Sequence, residues 1–291
     1  ADAEFDLPAG PHELKALARS ADGSNLSDPL TVRGPRDGPP PTLHRVCVGV
    51  DAYDLSGLRL TTAARDARDV FAALAENCVG PANRFGAAKG ALLIDTDATR
   101  KGVLDAIKAI GDAAGPGDLV VVFFAGHAKR HTAGTTSEYY LYTREADPAA
   151  IPGKAVSGAD LRAALRDIRC TTLLALDACH SADAVKALGS GVNEATRDAT
   201  DEVVGVTVLS AAMADETAGA GKGGPNGAFT AALVKALRAG TPFDPYERAM
   251  TVQHLYMSVF DDVRLATGGR QNPFLHRPYT APAFLIRDVA P

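Results

Sequence analysis

Residues 118–128, DLVVVFFAGHA, and residues 171–182, TTLLALDACHSA, decide how this chain is read. Each opens as a short apolar run without polar alternation, the pattern of a strand buried on both faces. Each then breaks into small residues around a reactive side chain. Ala125-Gly126-His127-Ala128 follows the first run, and Ala178-Cys179-His180-Ser181 follows the second. In an open parallel sheet, sites form beyond the carboxyl ends of the strands. Two such strands lying side by side, roughly 4.8 Å apart, would bring His127 and Cys179 to one edge. A thiolate beside an imidazole is the minimum apparatus for nucleophilic acyl transfer. The neighbouring small residues, Ala125 among them, leave room for a substrate backbone.

Outward from these two runs, strands and helices alternate from Leu43 onward, which predicts a parallel sheet covered by helices on both faces. The other strand candidates are LHRVCVGV (43–50), GALLID (90–95), VVGVTVLSA (203–211) and AFLIR (283–287). Apolar stripes predict one helix from Ala63 to Cys78 and another around Val103, Leu104, Ile107 and Ile110. Ser157 and Asp160 form a capping box opening a helix over 158–168. Phe229–Leu237 and Val252–Val263 supply two more. One compact domain over 43–291 is the economical reading.

Before it lies a different kind of chain. Residues 33–42, RGPRDGPPPT, read as a stiff linker. Leu14, Ala16 and Ala18 alternate with charged residues ahead of the turn signal Asp22-Gly23, and a second extended run covers Leu26 to Val32. Residues 1–32 therefore read as a β-hairpin segment, the end of an Ig-like β-sandwich or a strand pair docked on the main domain.

Composition removes several classes. Apolar residues make up 46% and charged residues 22%, the balance of a globular chain with a core. Thirty Lys and Arg against 35 Asp and Glu leave a net charge of −5 without a basic cluster, which argues against nucleic-acid partners. The longest apolar run, starting at Leu119, is about half the ~20 residues a membrane helix needs. The opening ADAEFDLPAG has neither a basic nor an apolar signal region. Four cysteines, none in a CxxC pair, predict reduced thiols in a cytoplasmic protein rather than disulfides or structural zinc.

Other chemistries fit poorly. There is no GxSxG elbow. Gly219, Gly221 and Gly224 match GxGxxG, but far beyond a strand and next to Pro225, so a dinucleotide is not expected. His127 and His131 lack further ligands for zinc. No EF-hand spacing appears. No metal and no cofactor are expected.

VVVFFAGHA followed some fifty residues later by LLALDACHSA resembles the caspase-fold cysteine peptidases, in particular the bacterial metacaspase-like (orthocaspase) branch. The resemblance extends over roughly 43–291. It includes VGVDAY, LTTAARDARDVFAAL, SGADLRAAL, GAFTAALVKAL and GGRQNP. It implies an α/β, caspase-like three-layer sandwich with a six-stranded, mostly parallel sheet, here preceded by the short hairpin segment. An Ig-like module often precedes such peptidases, sometimes after a WD-repeat propeller.

The resemblance further implies a His127–Cys179 dyad and endopeptidase activity on protein substrates. Cys179 would attack as thiolate and His127 would protonate the leaving amine. Backbone N–H groups of Ala128 and Cys179 would hold the oxyanion, each donor typically worth ~3 kcal/mol. His180, adjacent to the nucleophile, should point away from it. Asp66 in AARDAR and Asp177 in LDACHS match the acids that line the primary pocket of the metacaspase branch, which implies cleavage after Arg, or less well Lys. Ala125 and Ser210 complete the expected substrate-binding set. Residues 183–202 lack an apolar stripe and read as an exposed loop; the family is processed near there, with Lys186 and Arg197 the basic candidates. An upstream regulatory domain or activator is a further expected partner, and no membrane or nucleic acid is.

The chain departs from the family pattern in three places. Ala128 replaces the usual Gly after the histidine, Ala125 an upstream Ser, and Ala182 the Gly after Cys-His-Ser. If position 128 needed a positive φ, its methyl group would cost about 1 kcal/mol. The alternative function is accordingly a catalytically weak or silent caspase-like module acting as a regulatory interaction domain.

Overall fold

The computed structural model describes residues 10–14, 17–20, 23–26, 30–34, 38–80, 83–133, 136–178, 206–211, 224–239, 249–277 and 285–288. The amino-terminal part contains β1 (Gly10–Leu14), β2 (Leu17–Ser20), β3 (Gly23–Leu26) and β4 (Leu30–Gly34). Strand β2 pairs antiparallel with β3, and β1 with β4. The two ladders are offset by one residue, since Leu17 pairs with Leu26 while Leu14 pairs with Leu30.

The main sheet is built from β5 (Thr42–Gly49), β6 (Ala87–Ile94), β7 (Leu119–Ala125), β11 (Thr171–Asp177), β12 (Val206–Ser210) and β14 (Phe274–His276). Their order is β14-β12-β11-β7-β5-β6, parallel throughout except for the antiparallel edge strand β14. Helices α2 (Arg100–Ala113) and α3 (Gly158–Arg166) share one hydrophobic core with one face of this sheet. Helices α1 (Ala63–Cys78), α4 (Ala228–Ala239) and α5 (Val252–Thr267) share a second core with the other face. The result is the three-layer arrangement that unalternating strands and one-sided helices require. The capping box of α3 forms as expected: Asp160 N donates to Ser157 Oγ, and Ser157 N donates to Asp160 Oδ2, both at 3.0 Å.

Two features differ from the sequence reading. Residues 285–288 form β15, which pairs with β13 (Ala249–Thr251) and not with the main sheet. The sixth place belongs to β14, only three residues long and half-buried, too short to carry a periodic signal. The chain reaches that place because Gly268 closes α5 in the left-handed conformation and Gln271 Nε2 donates to Ala211 O (2.9 Å). Beyond β7, β8 (Ala128–Ala133), β9 (Thr136–Tyr142) and β10 (Ala155–Ser157) make a separate antiparallel sheet in the order β10-β9-β8.

Candidate active site

Strands β5, β7 and β11 end level with one another. Ala125 pairs with Gly49 on one side and with Asp177 on the other. Val50 N donates to Ala125 O (3.1 Å) and Gly126 N to Asp177 O (3.3 Å). The expected adjacency of the two motif strands is therefore met. The chain leaves β7 through Gly126-His127 and leaves β11 through Ala178, at the same sheet edge. Cys179 and His180 lie outside the described residues, as do the processing candidates Lys186 and Arg197.

His127 is fixed at both backbone and ring. Its N–H donates to Tyr53 Oη (2.8 Å), and its carbonyl accepts from Tyr142 N (2.9 Å). Its Nε2 lies 2.9 Å from the carbonyl oxygen of Leu58. A carbonyl only accepts, so Nε2 carries the proton, and in the neutral ring Nδ1 keeps the lone pair. Burial holds the imidazole below its ordinary pKa, partly opposed by the Leu58 carbonyl. The ring is thus a neutral base near pH 7 with Nδ1 as its basic nitrogen.

Ala128 begins β8. Because Tyr142 N donates to His127 O and Ala128 faces Leu141, that pair is a non-hydrogen-bonded one in the antiparallel ladder. The Ala128 N–H therefore points off the edge of β8, away from β9, as an oxyanion donor must. Among the described residues Asp95 is the only non-glycine with positive φ. Ala128 is consequently unstrained, and the anticipated cost of its methyl group does not arise.

Asp66 and Asp177 come together beside this edge. Asp66, 2% exposed, accepts from Gly227 N (3.1 Å) and Asn226 Nδ2 (2.9 Å). Asp177 accepts from Thr230 Oγ1 at 2.7 Å. Both carboxylates thus meet the first turn of α4, where the orphan N–H groups favour negative charge. Burial, and then the neighbouring Asp177, push the Asp66 carboxyl up to about 7. Burial also raises Asp177, against the opposing bonds from Thr230. The remaining substrate-binding candidates sit deeper: Ala125 is 1% exposed, and Ser210 is fully buried between Leu176 and Phe274.

Several contributors were invisible to residue-type reasoning. Tyr53 lies in the VGVDAY motif but reads as an ordinary core aromatic. Leu58 acts through its carbonyl, which no side-chain pattern reveals. Gly227 and Thr230 lie in GAFTAAL, where helical apolar spacing hides their polar duty. Asp51, in the same motif as Tyr53, accepts from Ala63 N (2.9 Å) and Ala64 N (3.1 Å) and so anchors the start of α1 that carries Asp66.

A mostly parallel six-stranded sheet between two helical layers, with a histidine at the end of its central strand, defines a caspase-like α/β fold. The chain belongs to the caspase domain family, whose sequence profile matches residues 45–284. A crystal structure of a Geobacter sulfurreducens protein superposes with a TM-score of 0.55 at 18% identity, covering 81% of this chain and 93% of that one. Caspase-1 from Spodoptera frugiperda superposes with a TM-score of 0.53 at 13% identity, covering 84% of this chain and 89% of that one. At these identities the likeness is one of fold. No curated protein matches the chain. Among the described residues no helix is long and apolar enough to cross a membrane, and no cluster of metal-binding side chains occurs.

Proposed function

We propose that this chain is a cysteine endopeptidase of the metacaspase-like (orthocaspase) branch, acting on protein substrates after Arg, and less efficiently after Lys. The observation that carries the reading is His127, held through Nε2 on the Leu58 carbonyl, at the end of β7 beside β11, the strand that runs toward Cys179 in the sequence. Cys179 Sγ attacks the scissile carbonyl, and the N–H groups of Ala128 and Cys179 receive the oxyanion. His127 Nδ1 takes the thiol proton and passes it to the leaving amine. It then draws a proton from water, which cleaves the thioester and frees the carboxylic acid.

The basic side chain binds between Asp66 and Asp177. Two buried carboxylates repel unless a cation lies between them, and the planar guanidinium fork suits carboxylates better than an ammonium. The amino-terminal β-hairpin segment is the end of an Ig-like module preceding the peptidase domain, with strands β4 and β5 reaching into both ends of the expected 33–42 linker, and the protein works in the cytoplasm.

The test is covalent labelling. An arginyl peptide carrying an acyloxymethyl ketone should add once to wild-type protein, at Cys179, and not to Cys179→Ala. An unlabelled wild-type protein would sink the peptidase reading and leave a silent caspase-like module.

A further inference from the structure

Tyr53 is 1% exposed and takes part in nothing that the peptidase chemistry names, yet three contacts converge on its phenol oxygen. Oη accepts the His127 N–H at 2.8 Å. It donates its own proton to the Tyr142 carbonyl at 3.3 Å. Tyr142 N in turn donates to the His127 carbonyl at 2.9 Å, closing a loop of three hydrogen bonds around the histidine backbone. The tyrosine ring also lies against the imidazole, with centroids 5.3 Å apart at 45°.

The third contact is steric. Gly126 has φ +155°, and a methyl group built there would sit 2.7 Å from Tyr53 Oη. A side chain at 126 is thus opposed by the same atom that holds residue 127. Gly126 and Tyr53 form an interlocked pair: glycine lets the backbone approach, and the phenol fixes what has approached.

We infer that Tyr53 is the positioning residue of His127, clamping the Gly126–His127 turn and with it the ring whose Nε2 donates to the Leu58 carbonyl. This rests on the proposed role of His127 as acid and base. Without Oη, the His127 N–H and the buried Tyr142 carbonyl each lose a partner, and the turn is left to the bonds of the Gly126 N–H, the His127 carbonyl and the ring. Burial keeps the phenol above its ordinary pKa, so the oxygen remains both donor and acceptor across the working pH range.

Tyr53→Phe keeps the ring and removes the oxygen. The expected result is kcat reduced at least about tenfold with KM within about twofold, since two hydrogen bonds are lost at the histidine. Ring nitrogen shifts by NMR should move from the Nε2–H form to a mixture of tautomers. Gly126→Ala alone should cost at least about 100-fold in kcat. Combined with Tyr53→Phe it should cost less than the product of the two, because the nearest of the atoms that crowd the methyl is gone while the Phe124 ring, 3.2 Å away, still opposes it. In unmodified protein the His127 amide should exchange slowly with deuterium. The inference is overturned by an unchanged kcat and tautomer in Tyr53→Phe, by strictly multiplicative effects, or by fast exchange at His127. The NMR and exchange readouts hold even if the chain cleaves nothing, so failure of the peptidase reading and failure of this one are told apart.

Discussion

Asp66 and Asp177 face each other across Gly227, where an added methyl would lie 3.0 Å from Asp177 Oδ2 and 3.4 Å from Asp66 Oδ2. Their partners are neutral: the Asn226 amide, the Gly227 N–H and the Thr230 hydroxyl. Among the described residues neither acid joins an ion pair. Neutral donors soften the repulsion without cancelling it, so both carboxyls are raised and the pair favours any cation that enters. Asp69, one turn along α1, shares Asn226 with Asp66 but is also paired with Arg65.

Asp66→Asn should separate function from stability. The amide oxygen can still accept from Gly227 N, while the repulsion with Asp177 disappears. Cleavage after Arg is expected to fall at least about 100-fold in kcat/KM, and the melting temperature at pH 8 to hold or rise. Retained Arg cleavage would remove Asp66 from the pocket.

The same carboxyl sets a pH dependence. Unfolded, it releases its proton near pH 4; folded, at about 7. Between these values the folded state binds more protons, so its stability falls as pH rises from about 4 to 7 and is level above that, with a contribution of a few kcal/mol at most. A guanidinium favours the ionised pair, so KM for an Arg peptide should fall as pH rises through about 7. Reading kcat separately isolates His127, which burial displaces to the acid side. A KM flat from pH 6 to 8 would contradict proton-linked binding.

Much of this was legible in the sequence, and for physical reasons. Strands such as Leu119–Ala125 and Thr171–Asp177 are buried on both faces, so their composition is uniform and their polar ends stand out. Helix α1 shows its stripe because only one face is buried, and Asp66 falls on that face. What stayed hidden depends on long-range contacts. Strand β14 is an edge of three residues, and 285–288, expected within the main sheet, pairs elsewhere. Tyr53 and Leu58 act on a histidine about seventy positions away, through an oxygen that any tyrosine or any peptide unit possesses. The meeting of Asp66 with Gly227 spans 161 positions.

Ala128→Gly tests whether the departure from the family pattern weakens the site. Ala128 is not in a left-handed conformation, so glycine relieves no strain. Its effect on kcat should stay within about twofold, and stability should drop by about 0.5–1 kcal/mol through added chain entropy. A tenfold gain in kcat would show that the methyl group does obstruct the oxyanion donor.

Self-processing gives a second check on Arg and Lys preference. The segment 183–202 contains Lys186 and Arg197. Mass spectrometry of fresh wild-type protein should show cleavage after one of them, and Cys179→Ala should remain a single species. Intact wild-type chain would remove self-processing from the proposal.

Gly227→Ala probes the acid pair through space alone. Gly227 is not among the glycines with positive φ, so its backbone accepts alanine without strain. Replacing glycine should even add a few tenths of a kcal/mol by restricting the unfolded chain. The methyl, however, would stand 3.0 Å from Asp177 Oδ2, closer than ordinary contact. Neither acid yields easily, since Thr230 holds Asp177 at 2.7 Å and Asn226 holds Asp66 at 2.9 Å. The slot between the carboxylates is therefore narrowed while His127, bonded to Tyr53 and Leu58, is untouched. KM for an Arg peptide should rise at least about tenfold with the melting temperature nearly unchanged. Alkylation of Cys179 by iodoacetamide, which needs no basic side chain, should keep its wild-type rate. An unchanged KM would place the basic side chain away from Gly227, and a matching loss of alkylation would mean that the methyl group disturbs the dyad rather than the pocket.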